Sequence, residues 1–291
     1  MGVGFYMSVK KIAFTKMHGI GNDYIYIDCF KYAVDDPAYL AKIMSPRRTS
    51  VGSDGVILIC PSKVADAKMR MFNLDGSEGK MCGNGIRCVG KYIYDNKIAV
   101  KDTLTVETLS GIKTLRIKAE NGKVKSVTVD MGEPILEPSK IPVLLDGDKI
   151  VGRETEIKDR KYKITAVSMG NPHAVVFCDE VRSLELEKIG PDFEFAPIFP
   201  EQVNTEFIRV VDSENLEMRV WERGSGETFA CGTGACAAVC AAVLNGFCKR
   251  DTAVTVHLKC GNLIIKYAAD GHIYMEGAAE KVYDGVFEYE S

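Results

Sequence analysis

This chain repeats itself, and that repetition limits its folds more than anything else in the sequence. The stretch "MCGNG" at residues 81 to 85 has a counterpart, "ACGTG", at 230 to 234, so Cys82 and Cys231 stand 149 positions apart in a chain of 291 residues. The same offset lays Gly21-Asn22 on Gly170-Asn171, Phe72-Asn73 on Trp221-Glu222 and Glu78 on Glu227. It also lays Asn96 on Asn245, Asp102-Thr103 on Asp251-Thr252, and "ENGKV" from Glu120 on "ADGHI" from Ala269. One match at a fixed offset is noise. This many argue for two copies of a unit of about 125 residues.

Both copies read alike. Each opens with a strand ending in a turn, "KIAFTKMHGIGNDYIYID" and "YKITAVSMGNPHAVVF", followed by a short helix pattern, "PAYLAKIM" and "LELEKIG". Two strands come next, "GVILI" and "AKMRMFN" in the first copy, "EFIRVV" and "LEMRVWE" in the second. The cysteine turn then leads into a helix. Ile86, Val89 and Ile93 recur at helical spacing, and "GACAAVCAAVLNG" is apolar nearly all round, as a buried central helix would be. Asn96 and Asn245-Gly246 suit helix ends. Hairpins close each copy, with Asn-Gly and Asp-Gly supplying positive φ at "ENGK" and "ADGH". The expected fold is α/β of the α+β roll type: a tandem duplication of two similar domains, each a curved, mostly antiparallel sheet around one buried helix. The repeats are expected at 1–131 and 132–277, with strand 278–291 completing the first. The three prolines of "MGEPILEPSKIPV" mark the linker.

Composition narrows the class. The formal charge of −3 is well mixed, with no basic stripe, which argues against nucleic acid as a partner. No apolar run is long enough to span a bilayer, so no membrane partner is expected. The start lacks a signal peptide's apolar core, and Met7 before "SVKK" reads as an alternative start, with residues 1–6 an extension. The expected location is the cytoplasm. Ten cysteines contain no C-x-x-C pair and no histidine at zinc-site spacing, so no metal is expected and most thiols read as free and buried. Cys236 and Cys240, four apart on one helix face, read as core, as does Cys88.

A cysteine at the first turn of a helix meets backbone N–H groups with partial positive charge, which stabilise a thiolate and lower the thiol pKa. The same amides hold a carboxylate, and flanking glycines allow close approach. Two such turns acting on one small carboxylate would put a sulfur on each face of its α-carbon. One thiolate removes the α-proton while the opposing thiol delivers another: racemisation or epimerisation without a cofactor. A single such turn reads more readily as structural, and the repetition favours the paired reading.

The blocks "MHGIGNDYIYID", "GSDGVILI", "FNLDGSEGKMCGNGIRC", "MGNPHAVVF", "VNTEFI" and "WERGSGETFACGTGACAA" together resemble the diaminopimelate epimerase family, from about Lys11 to near the C-terminus. That resemblance implies a cofactor-independent enzyme of lysine and peptidoglycan precursor biosynthesis. It interconverts LL- and meso-diaminopimelate by a two-base mechanism, with its site in the cleft between two similar domains, and forms a homodimer. Cys82 and Cys231 match the catalytic cysteines. Gly83-Asn84 and Gly232-Thr233 match the amides that hold the reacting carboxylate, and Asn22 matches an asparagine near the reacting end. Asn73, Asn171, Asn204 and Arg223 match the grip on the distal carboxylate. Glu222 matches an acid near the amino groups and second cysteine, and His173 an auxiliary histidine that helps polarise a thiol. Some members carry Gln where this chain has Gly55, which implies one loosened contact.

The residues allow plainer readings too. The asparagines suit turn hydrogen bonds, His173 a structural role, and Glu222 with Arg223 an exposed ion pair. On a strand these last two would point to opposite sides, and a turn at Gly224 would be needed to bring both to a ligand. Two other functions compete. A proline or hydroxyproline racemase has the same kind of turns, but a ring-shaped substrate has no use for Glu222 and Arg223. A thiol redox protein would close a Cys82–Cys231 disulfide.

Overall fold

A computed structural model describes residues 9–290; the alternative start at Met7 lies outside the described residues. The described residues form two compact units, one running up to residue 125 and resuming at 279, the other spanning 126–278.

In the first unit, β1 (Val9–Gly19) and β2 (Asn22–Asp28) form the opening hairpin, α1 (Pro37–Met44) follows, and β3 (Gly55–Cys60), β4 (Ala67–Asn73) and β5 (Glu78–Gly79) lead to α2 (Gly83–Asp95). β6 (Thr103–Thr108) and β7 (Gly111–Glu120) form the next hairpin, and β8 (Lys123–Asp130) carries the chain into the second unit. There β9 (Arg153–Ile157), β10 (Arg160–Ser168) and β11 (Pro172–Phe177) precede α3 (Leu186–Glu194). β12 (Asn204–Asp212), β13 (Asn215–Glu222) and β14 (Gly226–Thr228) lead to α4 (Gly232–Leu244), then β15 (Ala253–Leu258), β16 (Gly261–Tyr267) and β17 (Ile273–Gly277). β18 (Glu280–Glu290) returns to the first unit and pairs antiparallel with β1.

Strand pairing carries the duplication down to register. β2 and β3 are parallel with Tyr24 opposite Gly55, and β11 and β12 are parallel with His173 opposite Asn204. Phe72 faces Glu78 and Trp221 faces Glu227 across the antiparallel pairs that follow. A second parallel contact recurs as β4–β6 and β13–β15, and the remaining pairs within each unit are antiparallel. Parallel neighbours need a crossover: α1 and α3 lie on that of the first pair in each unit, α2 and α4 on that of the second.

The helices follow from their sequences. Residues Ala235 to Ala242 of α4 are all fully buried, as an apolar helix must be. α2 buries Ile86, Cys88, Val89 and Ile93, together with the guanidinium of Arg87. Asn96 and Asn245 cap the two C-termini, and the next residues, Lys97 and Gly246, both take positive φ. Two local expectations change. α3 starts at Leu186, after the first two residues of "LELEKIG", and runs through Pro191 to Phe193 in the core. In "ADGH" only Gly271 has positive φ, whereas Asn121 and Gly122 both do in "ENGK".

Candidate active site

Cys82 is the N-cap of α2 and Cys231 the N-cap of α4, both with extended backbone (φ −125°, ψ 120° and φ −114°, ψ 110°). That geometry turns each sulfur back over its own first turn. Gly85 N–H donates to the Cys82 sulfur at 3.3 Å, and Gly234 N–H donates to the Cys231 sulfur at 3.3 Å. A side chain on either donor would press on a neighbour. A Cβ on Gly85 would lie 2.7 Å from Ile57 Cδ1, and one on Gly234 would lie 2.5 Å from Glu206 Oε1.

Around Cys82 the thiol donates to Asn22 Oδ1 at 3.2 Å, and Asn22 Nδ2 donates to Asp54 Oδ2 at 2.7 Å. Arg47 ties Asp54 to Asp23, and Lys16 also reaches Asp23. Asn22 is therefore oriented by a charged network before any ligand arrives. The fully buried Arg87 donates to Gly83 O at 3.1 Å and to Asn84 Oδ1 at 3.0 Å. Asn73 Nδ2 donates to Ser77 Oγ at 3.0 Å inside its own turn. Gly55 lies opposite Asn73 on β4, and a Cβ there would come 2.1 Å from Phe72 O. A larger side chain at 55 would require the strands to shift.

Around Cys231 the neighbours differ. Thr233 Oγ1 lies 3.4 Å from the sulfur and accepts from Asn171 Nδ2 at 3.4 Å. Asn171 Oδ1 is 3.0 Å from His173 Nε2, and His173 Nδ1 is 2.7 Å from Glu206 Oε1. Glu222, at the end of β13, accepts from the Thr228 hydroxyl and lies beside the Cys231 thiol. Asn204 donates to Pro172 O at 2.8 Å and accepts from Arg223 N–H at 3.0 Å. Arg223 is in the turn after β13, where Gly224 has φ +74° and donates to Glu194 Oε1 at 2.8 Å. Its guanidinium donates to Glu201 O at 2.7 Å, with no ion pair to Glu222 among the described residues. The side-by-side pair in the sequence therefore separates in space.

The expected lowering of the thiol pKa is reversed. Burial pushes Cys82 up from the ordinary thiol value; the amides of Gly85 and Asn84 and the charge of Arg87 pull against it without winning. Cys231 is pushed further: burial acts first, and the charges of Glu222 and Glu206 add to it against the donors Thr233 and Gly234. Helix-start amides favour the thiolate, but an enclosed sulfur loses more hydration than those amides return. Burial also raises Glu222 above the usual carboxylate range. Among the described residues no group of three or more His, Cys, Asp or Glu side chains could hold a metal ion, and no helix is long and apolar enough to cross a membrane.

Three of these neighbours escape a reading of motifs: Arg87, Glu206 and Tyr24, which lies beside the Cys82 thiol. Two carried a signal. Glu206 shares a strand face with Ile208 in "VNTEFI", and Arg87 sits one position past Ile86 at the start of a glycine-rich helix turn. A charge at an inward position is the informative observation.

A family model described as "Diaminopimelate epimerase" matches residues 14–137 and 165–282. A diaminopimelate epimerase of Desulfovibrio desulfuricans is 54% identical over 283 residues, covering 95% of this chain and 98% of that protein. One from Acetivibrio thermocellus is 54% identical over 273 residues, covering 94% and 97%. One from Methanococcus maripaludis is 53% identical over 273 residues, covering 94% and 98%. Among solved structures, a probable proline racemase of Agrobacterium radiobacter aligns with a TM-score of 0.70 at 14% identity, covering 94% of this chain and 92% of that one. A hydroxyproline epimerase of Agrobacterium vitis aligns at 0.69 with 15% identity, covering 98% and 93%. At such low identity these last two speak for the fold alone.

Proposed function

The chain belongs to the diaminopimelate epimerase family, and from that premise we propose that it interconverts LL- and meso-diaminopimelate without a cofactor, using Cys82 and Cys231 as the two proton-transfer groups. One observation carries the assignment of the cysteines. Each caps a duplicated helix at the same register, with its sulfur held by the third residue's amide.

The chemistry follows from that placement. The α-proton of an amino acid is a very weak acid. A thiolate whose conjugate thiol has been pushed up by burial is a stronger base toward it, at the cost of a smaller thiolate fraction near neutral pH. The helix-start amides at Gly83-Asn84 and Gly232-Thr233 bind the reacting carboxylate and favour the charge that develops on it. Asn22 and Asn171 are already oriented by Asp54 and His173. Asn204 and Arg223, joined where the Arg223 N–H donates to Asn204 Oδ1, hold the distal carboxylate with Asn73. Glu222 suits an ammonium group. His173 acts as an auxiliary through Asn171. The enzyme works as a homodimer in the cytoplasm.

The test is α-proton exchange. Reduced protein given LL-diaminopimelate in D2O should place deuterium on the α-carbon and form the meso isomer. Absence of both would sink the reading, and exchange on proline instead would move the chain to the racemases of the same fold.

A further inference from the structure

Glu206 is a fully buried carboxylate that the function above does not use. It projects from β12 beneath the first turn of α4, where its Oε1 occupies the space a Cβ on Gly234 would fill. Oε1 is 2.7 Å from Nδ1 of the equally buried His173, while Oε2 has no hydrogen-bond partner. Burying an ionisable group with an unpaired oxygen is costly, so its presence calls for a reason beyond packing.

The duplication supplies a control for packing. Offset by 149 positions, Glu206 corresponds to Ile57 and His173 to Tyr24. Ile57 fills the same space in the first unit, with its Cδ1 2.7 Å from where a Cβ on Gly85 would stand. A branched apolar side chain therefore satisfies the fold under such a helix start. The second unit spends a carboxylate there.

The hydrogen-bond chain shows what the carboxylate reaches. Asn171 donates through Nδ2 to Thr233, which leaves its Oδ1 facing His173 Nε2 and places a proton on that nitrogen. The remaining close contact, Nδ1 to Oε1, would set two lone pairs against each other unless one proton lies between them. From Glu206 the chain thus runs through His173, Asn171 and Thr233 to the Cys231 sulfur. The charged groups facing that sulfur are Glu222 at the end of β13 and Glu206 on β12, with His173 on β11 acting on both carboxylates; its own helix adds the Thr233 hydroxyl and Gly234 amide.

We propose that Glu206 is a positioning residue for the epimerisation: as a carboxylate it holds a proton on His173 Nδ1, so fixing the buried chain that ends on the Cys231 thiol, and its Oε1 sets the negative end of that pair beside the thiol. The proposal rests on the two-thiol reading above. Glu206→Gln keeps the shape and a hydrogen bond to Nδ1 while removing the charge. It should lower kcat for diaminopimelate at least about tenfold and leave KM within about twofold, since Glu206 touches no substrate. With that negative charge gone, the alkylation rate of Cys231 against pH, followed by peptide mass spectrometry with iodoacetamide, should move to lower pH. Glu206→Asp keeps the charge but withdraws the carboxylate by one methylene, so it should retain the wild-type alkylation curve and still lose kcat. A Gln variant with wild-type kcat, or with an unmoved Cys231 curve, overturns the proposal. If the Gln variant does not fold, wild-type kcat in the Asp variant overturns it. Wild-type protein with no α-proton exchange would instead overturn the epimerase reading, and the alkylation comparison, which needs no substrate, would still stand.

Discussion

At the head of α2 the thiol of Cys82 has the buried guanidinium of Arg87 one turn along its own helix. At the head of α4 the equivalent position is Cys236, and the thiol of Cys231 lies beside the carboxylates of Glu222 and Glu206. The two caps share their backbone geometry and the amide bonded to sulfur, so these differences are superimposed on one repeated scaffold. Duplication delivered two equivalent cysteine caps, and the buried charges made their surroundings unequal. Burial raises both thiols, but at Cys82 the guanidinium opposes it, whereas at Cys231 the carboxylates reinforce it. The charges beside the two sulfurs thus act in opposite directions, favouring the thiolate at Cys82 and the thiol at Cys231.

The largest effect expected is from the sulfurs themselves. Cys82→Ala or Cys231→Ala should each lower stereoinversion by about a thousandfold or more, measured as LL-to-meso conversion. Near-normal turnover in either variant would break the comparison outright. The pH profile comes next. A raised thiol is mostly protonated at neutral pH, so the base form grows as pH rises. kcat/KM should climb by up to about tenfold per pH unit from pH 6 upward and fall once the second thiol also ionises. A profile flat from pH 6 to 8 would mean that the thiols are not raised.

Arg87→Met tests the guanidinium. It strips Gly83 O and Asn84 Oδ1 of a buried donor and should cost about 2–3 kcal/mol of stability by denaturant unfolding. It should also move the alkylation of Cys82 to higher pH and leave that of Cys231 in place. The smallest effect separates the two glycines. Gly85→Ala presses on the methyl end of Ile57, whereas Gly234→Ala presses on a carboxylate fixed by His173. Unfolding should show the second costing about 1 kcal/mol more than the first. Equal costs would mean that Glu206 yields as easily as an isoleucine.

The duplication, both cysteine-capped helices and the central helix of the second unit were legible in the sequence, because each rests on local pattern: a fixed offset, helical spacing, an apolar run. The sign of the thiol shift was not. The helix-start argument is local and favours the thiolate, while the burial that overrides it comes from strands distant in sequence. Glu222 and Arg223 illustrate the same limit. Adjacency in "WERG" allowed an exposed ion pair, yet the turn at Gly224 carries the Arg223 guanidinium to Glu201 O while Glu222 accepts from Thr228.

The sequence by itself therefore determined the repeat, the elements and the two cysteine-capped helix starts where we propose the chemistry, since these are written in spacing and residue type. Only the tertiary structure decided the charge each position sees. Arg87 and Glu206 act through buried contacts made when α2 and α4 pack onto their strands, and a low-dielectric interior magnifies a charge that would count for little in an unfolded chain.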